Sequence, residues 1–471
     1  MPAYLHPGAA ELRKPKRKTP FAWRFTSPLF LGSALNPINS SLIATALVPI
    51  AHSLGVSVGK TSVLVASLYL ASAIAQPTAG KLAEELGPRR VFLAGILLVL
   101  VGGIIGGLAH DLTTLIVARV LIGIGTSAGY PSAMVLIRRR AADAGMDAPP
   151  GGVLGGLSIA ATVTTAVGPP IGGVLVDATS WRAAFLVNIP VALIALAMTA
   201  SWIGRDPKLG RTRTVGEITR RIDLTGIVIF AATMSALLVF LLDLPSAEWA
   251  FLAAAFALAG VLVAWELRAA TPFIDMRLLA SNKALTRTYM RGLLSLLGIY
   301  TILYGITQWL EAGHGFSAEQ AGLLILPMGA LAAIVSRPIA SHNLVRGPLI
   351  AGAAAALAGS VGVLLLTTST PALAIVAVTL LFGITFGTIA VGNQTALYTQ
   401  APAAQVGTAA GLYRTFSYIG SIASATITSI VFRTKVDDGG LHTLALILIG
   451  VSAVVLLMTV LDRRLRTARR S

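Results

Sequence analysis

The chain has 471 residues, 55% of them hydrophobic and 12% charged, with no cysteine and a formal net charge of +17. A soluble domain carries roughly twice that charged fraction, so this chain has too few polar residues to clothe a water-facing surface, and disulfides, thiolate metal sites and thiol catalysis are excluded. The positive charge does not indicate nucleic acid, because it flanks apolar segments and lacks interleaved aromatic residues.

A basic segment, 1–26, precedes the first apolar run. That run, near 27–50, is long, has no convincing small-residue cleavage site and leads into further spans, so it reads as an uncleaved first helix. Runs near 62–82, 91–109, 112–136, 153–176 and 183–203 complete a first group of six. A basic linker, 204–221, leads to an inserted unit over 222–267 with runs near 223–243 and 249–267. After a linker over 268–286, a second group lies near 287–311, 319–340, 347–367, 371–397, 405–432 and 441–461, and a basic tail covers 462–471. Each run holds about 20 residues, enough for a helix to cross a hydrocarbon core of about 30 Å, where lipid offers the backbone no partners. The expected fold is an all-α polytopic membrane protein of about 14 spans, with six-helix bundles over 27–203 and 287–461 and a helix pair between them.

Nearly all Lys and Arg fall in alternate gaps; only Lys60, Arg182, Arg433 and Lys435 fall in the other set. The positive-inside rule then predicts both termini in the cytoplasm and the protein in the cytoplasmic (inner) membrane. An internal echo suggests two related halves. Gln76-Pro77-Thr78-Ala79-Gly80 leads to Gly87-Pro88, as Arg337-Pro338-Ile339-Ala340-Ser341 leads to Gly347-Pro348, and Gly125-Thr126 falls near Gly387-Thr388. Such repeats occur in carriers whose bundles rock about a central site; chance similarity between Gly- and Ala-rich helices would look much the same.

In the fifth span, Gly156, Ala160, Thr164, Gly168 and Gly172 recur every fourth residue and form one small-residue ridge, which lets helices approach closely in a membrane. Within it, Gly168-Pro169-Pro170-Ile171-Gly172-Gly173 removes amide donors and can kink the helix, a pivot or simply tight packing. Between the second and third spans lies Gly80-Lys81-Leu82-Ala83-Glu84-Glu85-Leu86-Gly87-Pro88-Arg89-Arg90. Gly87 permits the tight return, and the carboxylates are expected to pair with neighbouring Arg residues or a helix N-terminus as a breakable latch. A plain solvated loop is the other reading.

That loop resembles the signature of the major facilitator superfamily, and Arg119-x-x-x-Gly123-x-Gly125 resembles its second motif. The Gly168–Gly173 segment is similar to the fifth-span motif of antiporters. Trp181-Arg182-x-x-Phe185-x-x-Asn188-x-Pro190, Pro272-Phe273-Ile274-Asp275-Met276-Arg277-Leu278-Leu279, Gly315-Phe316-Ser317-Ala318-Glu319-Gln320-Ala321-Gly322 and Gly407-Thr408-Ala409-Ala410-Gly411 resemble patterns of its fourteen-span drug:proton antiporter branch. The resemblance covers nearly the whole chain. It implies a multidrug efflux carrier driven by a proton gradient, without a bound cofactor.

Two departures bear on mechanism. Glu84-Glu85 stands where that loop has Asp then Arg, and Asn39 stands nearest an Asp of the first span. No Asp, Glu or His lies near the middle of any span, although proton-coupled carriers usually hold a titratable carboxylate there. Glu311, at the end of the ninth span, is the best remaining proton acceptor, with an ordinary interfacial acid as the other reading. Arg119 and Arg414 lie inside spans, and Arg291 near the start of one, where a charge is costly unless it faces a cavity, water or a partner; Arg291 can also snorkel to the surface. Asn36, Asn39, Tyr130, Tyr300, Gln308, Asn393, Gln394 and Tyr413 are candidates for a central cavity or for helix–helix hydrogen bonds.

The sequence therefore leads to export of drug-like or amphipathic small molecules by alternating access, in exchange for protons. The alternative is a proton-independent or differently coupled carrier of an anionic metabolite, favoured by the buried Arg residues and by Asn39. An enzyme, a receptor-like sensor or an ATP-driven pump is disfavoured, since there is no P-loop lysine motif or His/Cys/Asp cluster and the polar segments are short. Expected partners are a small-molecule substrate and the lipid bilayer, with no nucleic acid and no metal, and the carrier is expected to act as a monomer.

Overall fold

The computed structural model describes residues 20–146, 150–207, 222–242, 248–342, 344–401, 406–462 and 464–465. Among them every regular element is helical. Fourteen long helices are labelled here α1 (Trp23–Leu54), α2 (Val58–Leu86), α3 (Pro88–Gly107), α4 (Leu112–Asp143), α5 (Gly151–Ala178), α6 (Ala183–Trp202), α7 (Leu224–Leu242), α8 (Trp249–Glu266), α9 (Lys283–Gly313), α10 (Ala318–Ser341), α11 (Arg346–Val363), α12 (Ala372–Gln400), α13 (Val406–Val431) and α14 (Asp438–Leu461). Thirteen are long and apolar enough to cross a membrane; the other, α13, carries Arg414 and many Ser and Thr residues. Large apolar side chains such as Leu97, Leu373 and Leu446 stand exposed on the outside, as contact with lipid rather than water requires. Most of the linker expected over 204–221, and most of both basic ends, lie outside the described residues.

Turn chemistry marks several helix ends. Asp111 accepts the Thr114 amide at 2.9 Å to start α4, and its carboxyl is held below the usual range by the Thr114 hydroxyl and amide. Ser317 and Gln320 form a capping box at α10. Gly87, with φ +104°, makes the return between α2 and α3. Two helices expected as single runs are not uniform. A 3-10 turn, Ile43–Ala46, interrupts α1, and a π-helical turn, Trp309–Gly313, ends α9; such local rewinding is frequent at functional sites.

Consecutive helices alternate in direction. The Arg-bearing ends of α1, α3, α4, α9 and α11 therefore gather on one face, called here the basic face. The internal echo has a structural counterpart. In the α3–α4 pair, a side chain at Gly95 or Gly102 would collide with α4; in the α11–α12 pair, one at Gly352 or Gly359 would collide with α12. The α7–α8 pair packs on itself and touches α2 and α13. Asp223, before α7, accepts the Gly226 amide (3.1 Å), the Trp265 indole (2.9 Å) and the Phe273 amide (3.0 Å). Lys81 of α2 donates to the carbonyls of Thr271 and Pro272.

Candidate functional site

Two helix pairs join the first group of helices to the second. In the α5–α10 pair, a Cβ at Gly322 would lie 2.5 Å from the Pro169 carbonyl, while Gly173 backs Ala318 and Gly329 backs Ala166. The same α5 turns Gly168 and Gly172 against Ser41, Leu42 and Thr45 of α1, and Gly156 against Phe30. The small-residue ridge thus seats α5 on α1, while Gly173 and the Pro169 carbonyl face α10. In the α2–α13 pair, Gly59 packs on the Ser429 and Phe432 carbonyls, and further along the Tyr418 hydroxyl donates to Gln76 Oε1.

Away from the basic face, these contacts merge into a tyrosine seal. The Tyr69 ring (α2) lies 5.2 Å from that of Tyr300 (α9) and 5.8 Å from that of Tyr418 (α13). Its hydroxyl is 3.3 Å from that of Tyr304, which donates to the Ser40 carbonyl of α1 at 2.6 Å. All four rings are buried. Toward the basic face the lining changes. Asn36, Tyr130, Gln394, Tyr413 and Arg414 are half-buried, and the Arg414 guanidinium lies 4.9 Å from the Tyr130 ring centre. The seam between the groups is closed on one side of Arg414 and looser on the other.

The predicted site residues fall into distinct places. Arg119 is 1% exposed; its Nε donates to the Leu64 carbonyl at 2.9 Å and its Nη1 to the Asn39 carbonyl at 3.1 Å, while Nη2 has no partner. Asn39 bonds Asn188 of α6 at 2.7 Å, and Asn36 bonds Ser72 and Thr126. Both asparagines join helices of the first group. Arg291 does not snorkel. It is buried, with Nε on Asn393 Oδ1 at 2.6 Å, Nη2 on Thr288 at 3.0 Å and Nη1 3.7 Å from Asp462. Asn393 therefore belongs to this ion-pair network. Gln394 bonds Tyr398.

At the end of α9 remote from the basic face, Gln308 is buried with both amide atoms unpartnered, and Glu311 is 9% exposed with Oε1 unpartnered. Buried polar groups normally find partners, so these two stand out at this end of α9, with Asp177 of α5 close to Glu311. Trp181 is buried; Arg182 lies 4.3 Å over its ring and donates to the Ala109 carbonyl, closing that end of α3.

The latch differs from expectation. Glu84 is exposed, and the acid at the α3 N-terminus is Asp206, which follows α6. It accepts the Arg89 amide at 3.3 Å and the Arg90 amide at 2.9 Å, and lies 3.9 Å from Arg139. A Cβ at Gly87 would strike it, which explains that glycine beyond its φ; Gly80, by contrast, has room for a side chain. Because Asp206 caps α3 and meets its dipole, Asp206→Ala is expected to cost about 1–2 kcal/mol. Thermal unfolding in detergent should show the loss; an unchanged midpoint would remove Asp206 from this role.

The model of the Major Facilitator Superfamily matches residues 29–425. The chain belongs to this superfamily of transporters. It is 33% identical over 93% of its length to the uncharacterized MFS-type transporter YwoD of Bacillus subtilis (strain 168), covering 96% of that protein. It is 27% identical, over 88% of its length and 77% of the relative's, to the tetracenomycin C resistance and export protein of Streptomyces glaucescens. Among solved structures, the peptide transporter POT in complex with sulfate superposes with a TM-score of 0.67 at 14% identity, over 94% of this chain and 95% of the other; at that identity the likeness concerns the fold. The chain is therefore a multi-pass membrane protein with a major facilitator fold. For this superfamily member, sequence reasoning overlooked Asp206, Asp462, Tyr69, Tyr304 and Tyr418. The tyrosines were within reach, since each is a polar group far inside a span. Nothing local marks Asp206 or Asp462, whose partners are distant in sequence.

Proposed function

We propose that this transporter exports drug-like or amphipathic small molecules by alternating access, in exchange for protons. The observation that carries the reading is the one-sided closure: a tyrosine seal on one side of Arg414 and half-buried polar and aromatic side chains on the other. The positive-inside rule places the basic face in the cytoplasm, so the closed side faces outward and substrate enters from within. The resistance and export role named for the Streptomyces relative supports the direction.

Glu311 is the proposed proton carrier. It is a buried carboxylate with a free oxygen, set in a π-helical turn at the outer end of the seam. A carboxylate there exchanges protons with the outer solution when the seal opens, and its protonation state biases which side of the seam is closed. The test uses proteoliposomes loaded with a fluorescent aromatic dye under an imposed pH gradient. Dye movement is expected to follow the gradient in the parent protein, and Glu311→Gln is expected to leave only gradient-independent flux. Full pH-gradient dependence in Glu311→Gln would remove Glu311 from coupling.

A further inference from the structure

Arg414 is the one arginine inside the spans for which the described residues provide neither an acid nor a set of carbonyls. Arg291 has Asp462, and Arg119 has two backbone oxygens. Arg414 has no carboxylate within ion-pair distance among the described residues, and its side chain is half-buried rather than sealed. Its neighbours are phenols: Tyr418, Tyr130, Tyr413 and Tyr398 surround it, drawn from α4, α12 and α13. Gln394 adds an amide on the Tyr398 hydroxyl. Asp and Glu residues of the described chain lie at helix ends or in connections, so no nearby negative charge offsets this guanidinium.

Such a setting has a definite chemical preference. A guanidinium in a low-dielectric, partly dry site binds a carboxylate or phenolate far more strongly than it would in water. Tyr418 belongs to the buried seal, but Tyr130, Tyr413 and Tyr398 are half-buried or exposed and offer apolar faces for offset stacking with an aromatic ligand. A cationic drug would meet Arg414 with no acid to receive its own charge. Resting on the reading of the chain as an exporter, we infer that Arg414 and its tyrosine ring form a substrate subsite for flat aromatic compounds bearing an acidic group.

The export reading gives that preference a thermodynamic sense. A membrane potential that is negative inside drives an anion outward, and a proton entering in exchange carries charge in the same electrical direction. Neither movement opposes the other.

The test compares three probes of one shape on the purified full-length protein in neutral phosphatidylcholine nanodiscs: anthracene-2-carboxylate, anthracen-2-ylmethanol and anthracen-2-ylmethylammonium. Binding is read by probe fluorescence. The carboxylate is expected to bind at least about tenfold more tightly than the ammonium, as one charge-assisted hydrogen bond of about 1.5–3 kcal/mol requires. Arg414→Gln should erase the preference while retaining the alcohol, and Arg414→Lys should keep part of it. Equal or stronger binding of the ammonium by the parent protein would overturn the proposal without any variant, as would a carboxylate preference that survives Arg414→Gln. Flux separates this from the export reading: if the carboxylate binds selectively but no probe crosses proteoliposomes, export fails and the subsite stands.

Discussion

Replacing Arg119 with methionine is expected to abolish transport while leaving a protein that is folded and at least as stable. The guanidinium is buried with no carboxylate beside it among the described residues, and its partners are carbonyls of Leu64 and Asn39. The Leu64 carbonyl lies within α2 and also accepts from the Ser67 hydroxyl, so it does not depend on Arg119; the Asn39 carbonyl lies in the last α-helical turn before the 3-10 stretch of α1. A buried charge of this kind costs stability, on the order of several kcal/mol, and an apolar side chain of similar reach relieves that cost. What is lost is the tie between α4, α1 and α2 next to the tyrosine seal. Two charge-assisted hydrogen bonds at about 1.5–3 kcal/mol each correspond to a loss of about 100-fold or more in rate where the strut they make inside the first group holds α1 and α2 in place against the seal. Thermal unfolding and proteoliposome flux on the same preparation check both halves of the expectation. A marked drop in the unfolding midpoint would mean that Arg119 is chiefly a structural brace.

Gly322→Leu is expected to be nearly as damaging, for a steric reason. A Cβ at Gly322 would lie 2.5 Å from the Pro169 carbonyl and 2.9 Å from the Pro170 Cα, both backbone atoms that no side-chain rotation can move. Overpacking of this kind costs about 1–3 kcal/mol in a well-packed core, and here it falls on the α5–α10 contact that the proposed rocking would shift. Flux should fall to near background. Gly450→Leu in α14 is the matched control, since a side chain there meets nothing within 4 Å, and the change should be neutral to within about 1 kcal/mol. Equal loss in both variants would show that glycine itself, not the α5–α10 contact, is what matters.

The fold was legible because the bilayer imposes its own code. Apolar runs, turn glycines and the distribution of Lys and Arg do not depend on which helices become neighbours. The α5 ridge was legible for the same reason: Gly156, Gly168 and Gly172 announce a close approach, and they make one with α1. The sequence could not reveal that Gly173, one residue on, turns to a different partner across the seam. Pairwise chemistry was harder to read. Glu84 sits beside Arg89 and Arg90 in the chain, yet the acid they meet is Asp206, brought back by the full length of α3 to α6. Arg291 could be read either as a buried charge or as snorkelling to the surface, and its partner Asp462, at the end of α14, is far away in the chain. Gln308 and Glu311 could be named by residue type, but that both stand unpartnered, one just before and one within the π-helical turn, depends on how α9 meets its neighbours.

The central claim is that the two groups of helices rock, so that the tyrosine seal opens as the opposite side closes. The chain has no cysteine, so pairs of nitroxide spin labels can be placed at will. One pair, Ser53→Cys with Ala312→Cys, reports the sealed side; the other, Asp143→Cys with Arg337→Cys, reports the basic face, and all four positions are exposed. Pulsed electron–electron distance measurements in nanodiscs, with and without anthracene-2-carboxylate and across pH, should show reciprocal change: the first distance lengthens where the second shortens. Distances that stay fixed under every condition, or that lengthen together, would contradict the account.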